Sequence, residues 1–112
     1  MEMESVLETS DKFKLINDKI PEKYQENIKK AYYLLKNEGC EKVYLFGSMV
    51  TGNIHDHSDI DIGIKGIKKG KFLKAYSKLF SGLDVEFDLV NFDFDSRLFN
   101  LLESIDEVVE IG

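Results

Sequence analysis

The sequence predicts an α/β fold in a single domain, with helices packed against a small β-sheet. Two observations lead to this prediction: segments of helical and strand periodicity alternate along the 112 residues, and no repeat, low-complexity tract or linker interrupts them. A chain of this length suits one domain. We expect that domain to span residues 21–112, and residues 1–20 to form an N-terminal segment that is partly disordered or a short helix marked by Phe13 and Ile16.

Three amphipathic segments predict the main helices. The first begins after Pro21, where a missing N–H is tolerated, and stops at Gly39. The second ends at Gly82, and Asp95 or Ser96 caps the third. Their apolar stripes are, in order, Tyr24, Ile28, Ala31, Tyr32 and Leu35; Phe72, Leu73, Tyr76, Leu79 and Phe80; and Leu98, Phe99, Leu102 and Ile105.

Four apolar or alternating segments predict strands over residues 43–46, 59–65, 85–90 and 108–111. The second alternates most clearly, with three isoleucines on one face. Phe92, Phe94 and Phe99 are expected to complete the core, unless an exposed subset of them forms a docking surface.

The composition limits the function. A net charge of −6 argues against direct binding of DNA, and an acidic protein that handles nucleoside triphosphates needs divalent cations to reverse its local field. No stretch reaches the ~20 apolar residues of a membrane span, and the acidic N-terminus does not look like a targeting signal. Cys40, the single cysteine, excludes an intrachain disulfide and is expected to be buried, so we expect a cytoplasmic protein.

Two short motifs carry the candidate chemistry. Gly47-Ser48 follows the first strand; glycine lets backbone amides approach a phosphate, and the serine hydroxyl can donate to a phosphate oxygen. Asp59-Ile60-Asp61 opens the second strand, so its two carboxylates share a face and can converge on divalent ions. Aspartate is depleted in strands, which favours a functional reason for this pair.

A third acidic position comes from the strand over residues 85–90, where Glu86 and Asp88 share a face. Asp88 is the expected third metal ligand because the apolar pair Leu89-Val90 follows it, and Glu86 is the alternative.

The stretch LFGSMVTGNIHDHSDIDIGIK, residues 45–65, resembles the minimal nucleotidyltransferases of the DNA polymerase beta-like superfamily. Their signature is a Gly-Ser turn, about ten residues, an Asp-x-Asp pair and a later acidic strand. The resemblance implies a nucleotidyltransferase fold with a small mixed sheet. It also implies that Gly47 and Ser48 hold the triphosphate of ATP, and that Asp59, Asp61 and Asp88 act in catalysis as ligands of two Mg²⁺ ions.

Minimal nucleotidyltransferases are often encoded beside a HEPN-domain partner. The resemblance therefore implies an antitoxin that transfers AMP to a tyrosine hydroxyl of a HEPN toxin and silences its RNase activity, with a hetero-oligomer as a possible assembly. Two other functions stay open: a non-catalytic, nucleotide-binding module that regulates a partner by complex formation, and transfer to a small-molecule hydroxyl.

One position departs from many relatives. They carry an arginine after the Gly-Ser turn, where this chain has Met-Val-Thr-Gly, and its only arginine, Arg97, lies outside the motif. Lys65, at the end of the second strand, is therefore expected to help bind the nucleotide. It belongs to a cluster of lysines that is otherwise typical of a solvent-exposed face: Lys65, Lys68, Lys69 and Lys71.

Rival motifs explain less. His55 and His57 resemble part of a metallohydrolase zinc motif, but Ile60 stands where that motif continues with histidine, and the chain has no other histidine. A mobile polar loop accounts for them better. Glycosyltransferases and haloacid-dehalogenase-like phosphatases also use Asp-x-Asp pairs, yet they need longer chains and do not predict Gly47-Ser48 at this spacing.

Overall fold

The computed structural model describes residues 11–111, in which helices and strands alternate as the sequence predicts. The predictions for residues 1–10 lie outside the described residues. The helices are α1 Asp11–Asn17, α2 Glu22–Asn37, α3 Ser48–Thr51, α4 Phe72–Gly82 and α5 Ser96–Ser104; the strands are β1 Lys42–Phe46, β2 Ile60–Lys65, β3 Phe87–Asn91 and β4 Val108–Glu110.

The four strands form one mixed sheet in the order β3-β2-β1-β4. β1 is antiparallel to both β2 and β4, whereas β2 and β3 are parallel. Parallel neighbours need a crossover connection, and α4 supplies it between β2 and β3. The expectation of a small mixed sheet flanked by helices is confirmed.

The sheet has one apolar cluster on each face. On one face, α1, α2 and α4 cover the isoleucines of β2. On the other face, Tyr44 of β1 packs with Phe92, Phe99 and Leu102, which places α5 there. The rings of Tyr44 and Phe99 meet edge to face, with centroids 5.2 Å apart.

The predicted apolar stripe of α4 is partly wrong. Ala75 and Leu79 are buried, whereas Leu73, Tyr76 and Phe80 are exposed. The sequence offers two stripes one residue apart, which are rotated by about 100° around a helix. The stripe that contains the small side chain of Ala75 faces the core.

Five strand boundaries differ from the expected ones by one or two residues: β1 begins at Lys42, β2 at Ile60 and β3 at Phe87, while β3 ends at Asn91 and β4 at Glu110. β3 is an outer strand that pairs with β2 alone. The first pair between the two strands joins Ile60 to Phe87, so both strands begin at this pair. The short helix α3 replaces an expected turn. α5 is capped as predicted, since Asp95 Oδ1 accepts a hydrogen bond from the amide of Leu98 at 3.2 Å.

Candidate active site

The turn after β1 depends on Gly47. Its backbone has φ +74° and ψ −145°, a combination that essentially only glycine adopts. The Gly47 carbonyl accepts hydrogen bonds from the amides of Val50 and Thr51 at 2.9 and 3.0 Å, which winds the chain into α3. The first amides of a helix have no acceptor within it, so those of Ser48 and Met49 can donate to an outside group.

This turn packs directly on a carboxylate of the next strand. Phe46, the last residue of β1, is the register partner of Asp61 in β2. A Cβ atom added to Gly47 would overlap Asp61 Oδ2 and would lie 3.1 Å from Asp61 Cγ. The glycine therefore lets the backbone of the Gly-Ser turn reach the side chain of the Asp-x-Asp pair.

The parallel pairing of β2 with β3 sets two carboxylates side by side. Asp61 and Asp88 are register partners. Asp59 immediately precedes β2 and lies two residues from Asp61, so it belongs to the same face. Glu86 lies before β3, where its carbonyl accepts a hydrogen bond from the amide of Ile60 at 3.0 Å. The structure thus brings Asp88, rather than Glu86, alongside Asp61.

The three aspartates form a cluster of like charge. The pKa of Asp61 is raised to about 6. Burial is the largest cause, and the negative charges of Asp88 and then Asp59 add to it. In the described part of the chain, the ion pairs Lys30–Asp84 and Lys78–Glu38 lie away from these carboxylates. The cluster is therefore arranged to gain from an external cation.

Magnesium fits this set of donors. It prefers hard oxygen ligands, commonly uses one or two carboxylates, and completes its shell with water and substrate phosphates. Within residues 11–111, no three histidine, cysteine or acidic side chains close on one point as a finished metal cage. We call the Gly47-Ser48 turn together with Asp59, Asp61 and Asp88 the carboxylate cleft; carboxylates on adjacent strands suit an ion that shares its ligands with a nucleotide.

Ser58 and Tyr24 anchor the loop that leads to Asp59. The buried Ser58 hydroxyl accepts a hydrogen bond from the amide of His55 at 2.8 Å, and the Ser58 amide donates to the His55 carbonyl at 3.0 Å. The Tyr24 hydroxyl of α2 donates to the Asp56 carbonyl at 3.3 Å. These bonds fix the chain directly before Asp59. No sequence pattern assigned them this role, although Ser58 beside the Asp-x-Asp pair was a usable signal.

Gly63 lets an aromatic ring pack against the backbone of β2 near Asp61. It shares the face of Asp61, two residues along β2, and a Cβ atom there would overlap the fully buried ring of Phe92. The ring therefore lies against the strand backbone, one alternation along β2 from Asp61. Glycine inside a strand often marks such a close approach, and this signal was missed.

Lys65 lies at the opposite end of β2. Four residues separate it from Asp61, which is about 13 Å along a strand, and its register partner is Lys42 at the start of β1. Its ammonium lies 3.6 Å from the ring centroid of Phe99. The structure does not bring Lys65 to the Gly47-Ser48 turn, and its role in nucleotide binding stays a prediction.

A cavity of about 380 Å³ lies near the start of β2 and β3, at the end of the sheet that also holds Asp59. Its lining includes Ser58, Tyr76, Phe80 and Phe87. Phe87 and Asp88 are adjacent in β3 and point to opposite faces. The cavity therefore opens on the α4 side and is separate from the carboxylate cleft.

Cys40 is buried as expected. Burial raises the pKa of its thiol to about 11, against a lowering effect of Lys36 and a further raising effect of Glu38. A thiol in this state is a poor nucleophile, so Cys40 belongs to the core and not to the site.

Comparison with known proteins identifies the family. Residues 25–109 match the family described as polymerase beta, nucleotidyltransferase. The chain belongs to this family. Nucleotidyl transfer is the chemistry that the description of this family names, and its members usually use a nucleoside triphosphate and a divalent metal.

Two solved structures resemble this nucleotidyltransferase. A chain from a crystal structure of a toxin–antitoxin with AMP-PNP has 33% sequence identity and a TM-score of 0.47, and the match covers 61% of this chain and 56% of that one. A candidate nucleotidyltransferase from Sulfolobus solfataricus has 24% identity and a TM-score of 0.43, with 79% and 81% covered. The chain thus spans little more than half of the first of these. No curated protein matches it.

Within the described residues, no helix has both the length and the apolar character needed to cross a bilayer.

Proposed function

We propose that this nucleotidyltransferase transfers AMP from ATP to a hydroxyl of a protein acceptor, and that it is an antitoxin that modifies a HEPN toxin. The observation that carries the proposal is the contact of Gly47 with Asp61 beside Asp88, because it joins a phosphate-binding turn to paired carboxylates in one cleft. The resemblance of residues 45–65 to minimal nucleotidyltransferases supports a protein acceptor.

Asp59, Asp61 and Asp88 would hold two magnesium ions. When bound, these ions neutralise the negative charge of the transferring phosphate and of the departing pyrophosphate. Burial is the largest cause of the raised pKa of Asp61, and repulsion from Asp88 and Asp59 adds to it; this repulsion supports the assignment, since a cation among the three carboxylates would remove it.

Gly47 and Ser48 would bind the triphosphate. The Ser48 hydroxyl and the free amides at the start of α3 are donors that suit phosphate oxygens. Because Gly47 touches Asp61, phosphates held by the turn would lie next to the carboxylates without further movement of the chain. This arrangement is the positioning on which phosphoryl-transfer enzymes chiefly depend.

In the transfer step, the acceptor hydroxyl oxygen forms a bond to the α-phosphorus. The bond from that phosphorus to the bridging oxygen breaks, and pyrophosphate leaves with the bonding electrons. Asp88 is exposed on an outer strand, so an acceptor can reach it, and its carboxylate would take the hydroxyl proton.

The test is a transfer assay with α-labelled ATP, magnesium and the HEPN-domain protein proposed as acceptor. We expect label on that protein with the wild-type chain and with the matched control Glu86→Gln, and none with Asp59→Asn combined with Asp61→Asn. Label that persists in the double variant would contradict the proposed site. Label on a low-mass product would show a small-molecule acceptor instead.

One observation favours the rival, non-catalytic function. The turn after Ser48 lacks the arginine of many relatives, and Lys65, the basic residue expected to compensate for it, lies at the far end of β2. A pure binding module would neutralise the toxin although not even the wild-type chain labels it.

A further inference from the structure

An apolar stripe on α5 faces solvent. Leu101 of α5 is 56% exposed, Phe94 in the turn before α5 is 88% exposed, and Ile105 at the C-cap of α5 is 50% exposed, with the half-buried Leu98 between Phe94 and Leu101. Exposed apolar residues that continue along one helix face are typical of a contact surface. We call Phe94, Leu101 and Ile105 the α5 surface.

Phe94 could have been buried locally. It precedes the cap residue Asp95, and an apolar residue there commonly packs against the fourth helical residue, here Phe99. Phe99 is nearly buried beneath Tyr44 and Phe92, yet Phe94 remains almost fully exposed. The fold therefore makes no use of the most exposed aromatic ring on this side of the molecule.

The charge around the α5 surface is strongly negative. Residues 93–110 contain six acidic residues and a single basic one, Arg97. Residues 66–83, which include α4, contain five lysines and no acidic residue, whereas the ammonium of Lys65 lies against Phe99 of α5. The two exposed apolar helix faces thus carry opposite charge, and the α5 surface suits a partner that combines apolar and basic side chains.

The α5 surface is on the side of the molecule where the acceptor must arrive. Asp61 has the register partner Phe46, and partners directly opposite in a sheet share a face. Phe46 packs against the cluster that seats α5. The α5 surface therefore lies on the same face of the sheet as Asp61.

We propose that the α5 surface docks the basic, RNA-binding surface of the toxin. The inference rests on the proposed function, in which the acceptor is a ribonuclease. An enzyme that binds RNA needs a basic surface to neutralise phosphates and aromatic side chains to stack bases. Such a surface matches the acidic residues and exposed apolar side chains around α5. Docking then excludes RNA from the toxin before any AMP is transferred.

The test compares variants of the full chain with the purified HEPN-domain protein as the probe. Phe94→Ser combined with Leu101→Ser should weaken binding by about 100-fold, because a few exposed apolar residues dominate most interfaces. It should raise KM for the toxin and leave kcat unchanged. Glu103→Lys should slow association by about tenfold at low salt, and the effect should disappear at high salt. The matched control is Leu73→Ser with Phe80→Ser on α4, at 77% and 74% exposure, which should bind normally.

Docking and catalysis are separated by the Asp59→Asn and Asp61→Asn variant, which should bind the toxin and inhibit its RNA cleavage without labelling it. If the α5 variant binds as tightly as the wild type while AMP transfer continues, the docking proposal is wrong and the proposed function stands. If no chain binds or labels the toxin, the proposed function fails first. If the chain alone self-associates in sedimentation, and either the α4 or the α5 variant abolishes this, the occupant is a second copy and the proposal is overturned.

Discussion

Gly47 lies so close to Asp61 that a methyl group on its α-carbon would occupy the space of the Asp61 Oδ2 atom. The contact couples two parts of the site that the sequence separates by fourteen positions. Any change in the turn that moves this backbone also moves the carboxylate, so the proposed phosphate-binding turn and the proposed metal ligand cannot move independently at this point.

Gly47→Ala should cost about 3 kcal/mol of unfolding free energy, from its unfavourable backbone conformation and from the overlap with Asp61. The matched control is Gly52→Ala, since Gly52 has φ +91° and an added Cβ atom there would meet nothing within 4 Å. The control should cost about 1 kcal/mol. Urea unfolding of both variants measures the difference, and equal costs would show that the contact with Asp61 is not a constraint.

The pKa of Asp61 predicts a dependence of stability on pH. The folded-state value is about 6, compared with an ordinary value of 3.8, so between these values the folded chain binds more protons than the unfolded chain. The free energy of unfolding should therefore fall as pH rises through this window. The full shift corresponds to roughly 3 kcal/mol, which we reduce to about 1–2 kcal/mol because the side chain is half exposed.

Asp61→Asn removes this ionisation. In EDTA, the variant should be more stable than the wild type by about 1–2 kcal/mol at pH 7, and the advantage should shrink toward pH 4. Urea unfolding at the two pH values measures it. An advantage that is the same at both would contradict the raised pKa, because only a titrating group gives a difference that varies with pH.

Magnesium should stabilise the protein through the carboxylate cluster. At tenfold excess over its dissociation constant, a ligand of the folded state adds about 1.4 kcal/mol, which raises the Tm of a domain of this size by about 5–10 °C. Thermal unfolding with magnesium, at matched ionic strength, measures the rise. Asp88→Asn should remove it and Glu86→Gln should keep it. The opposite pattern would make Glu86 the third ligand.

Gly63→Ala should destabilise the fold by about 2–4 kcal/mol, because the added methyl overlaps the buried ring of Phe92. A smaller side chain, Phe92→Leu, should restore part of this loss when both changes are combined. Unfolding of the two single variants and the double variant gives the coupling energy, which should be at least about 1 kcal/mol. Simple additivity of the two costs would rule out the contact as their source.

The sequence predicts this fold well where local pattern determines structure. Alternation marks β2, the Gly39 stop ends α2, and Asp95 caps α5, all because the relevant interactions lie within a few residues. The prediction of which side of α4 faces the core was partly wrong, because the helix has two stripes of similar hydrophobicity. Only packing against the sheet selects the stripe with Ala75.

In the candidate site, too, local pattern predicts some features and only the packing of distant segments determines the others. Asp59 and Asp61 share a face by strand geometry alone, so the pair is predictable from spacing. The choice of Asp88 over Glu86 depends on the register of two parallel strands, which no local pattern specifies. The position of Lys65 could have been anticipated, since a residue at the far end of a six-residue strand lies far from a turn at its other end.

The parallel pairing of β2 with β3 also has a kinetic consequence. Asp61 and Asp88 become neighbours only after α4 has packed and β3 has joined β2, and contacts between distant parts of a chain tend to form late in folding. A divalent ion that needs both carboxylates therefore binds the finished protein rather than the folding chain. Such an ion would slow unfolding and leave the folding rate unchanged, so it would extend the lifetime of the native state.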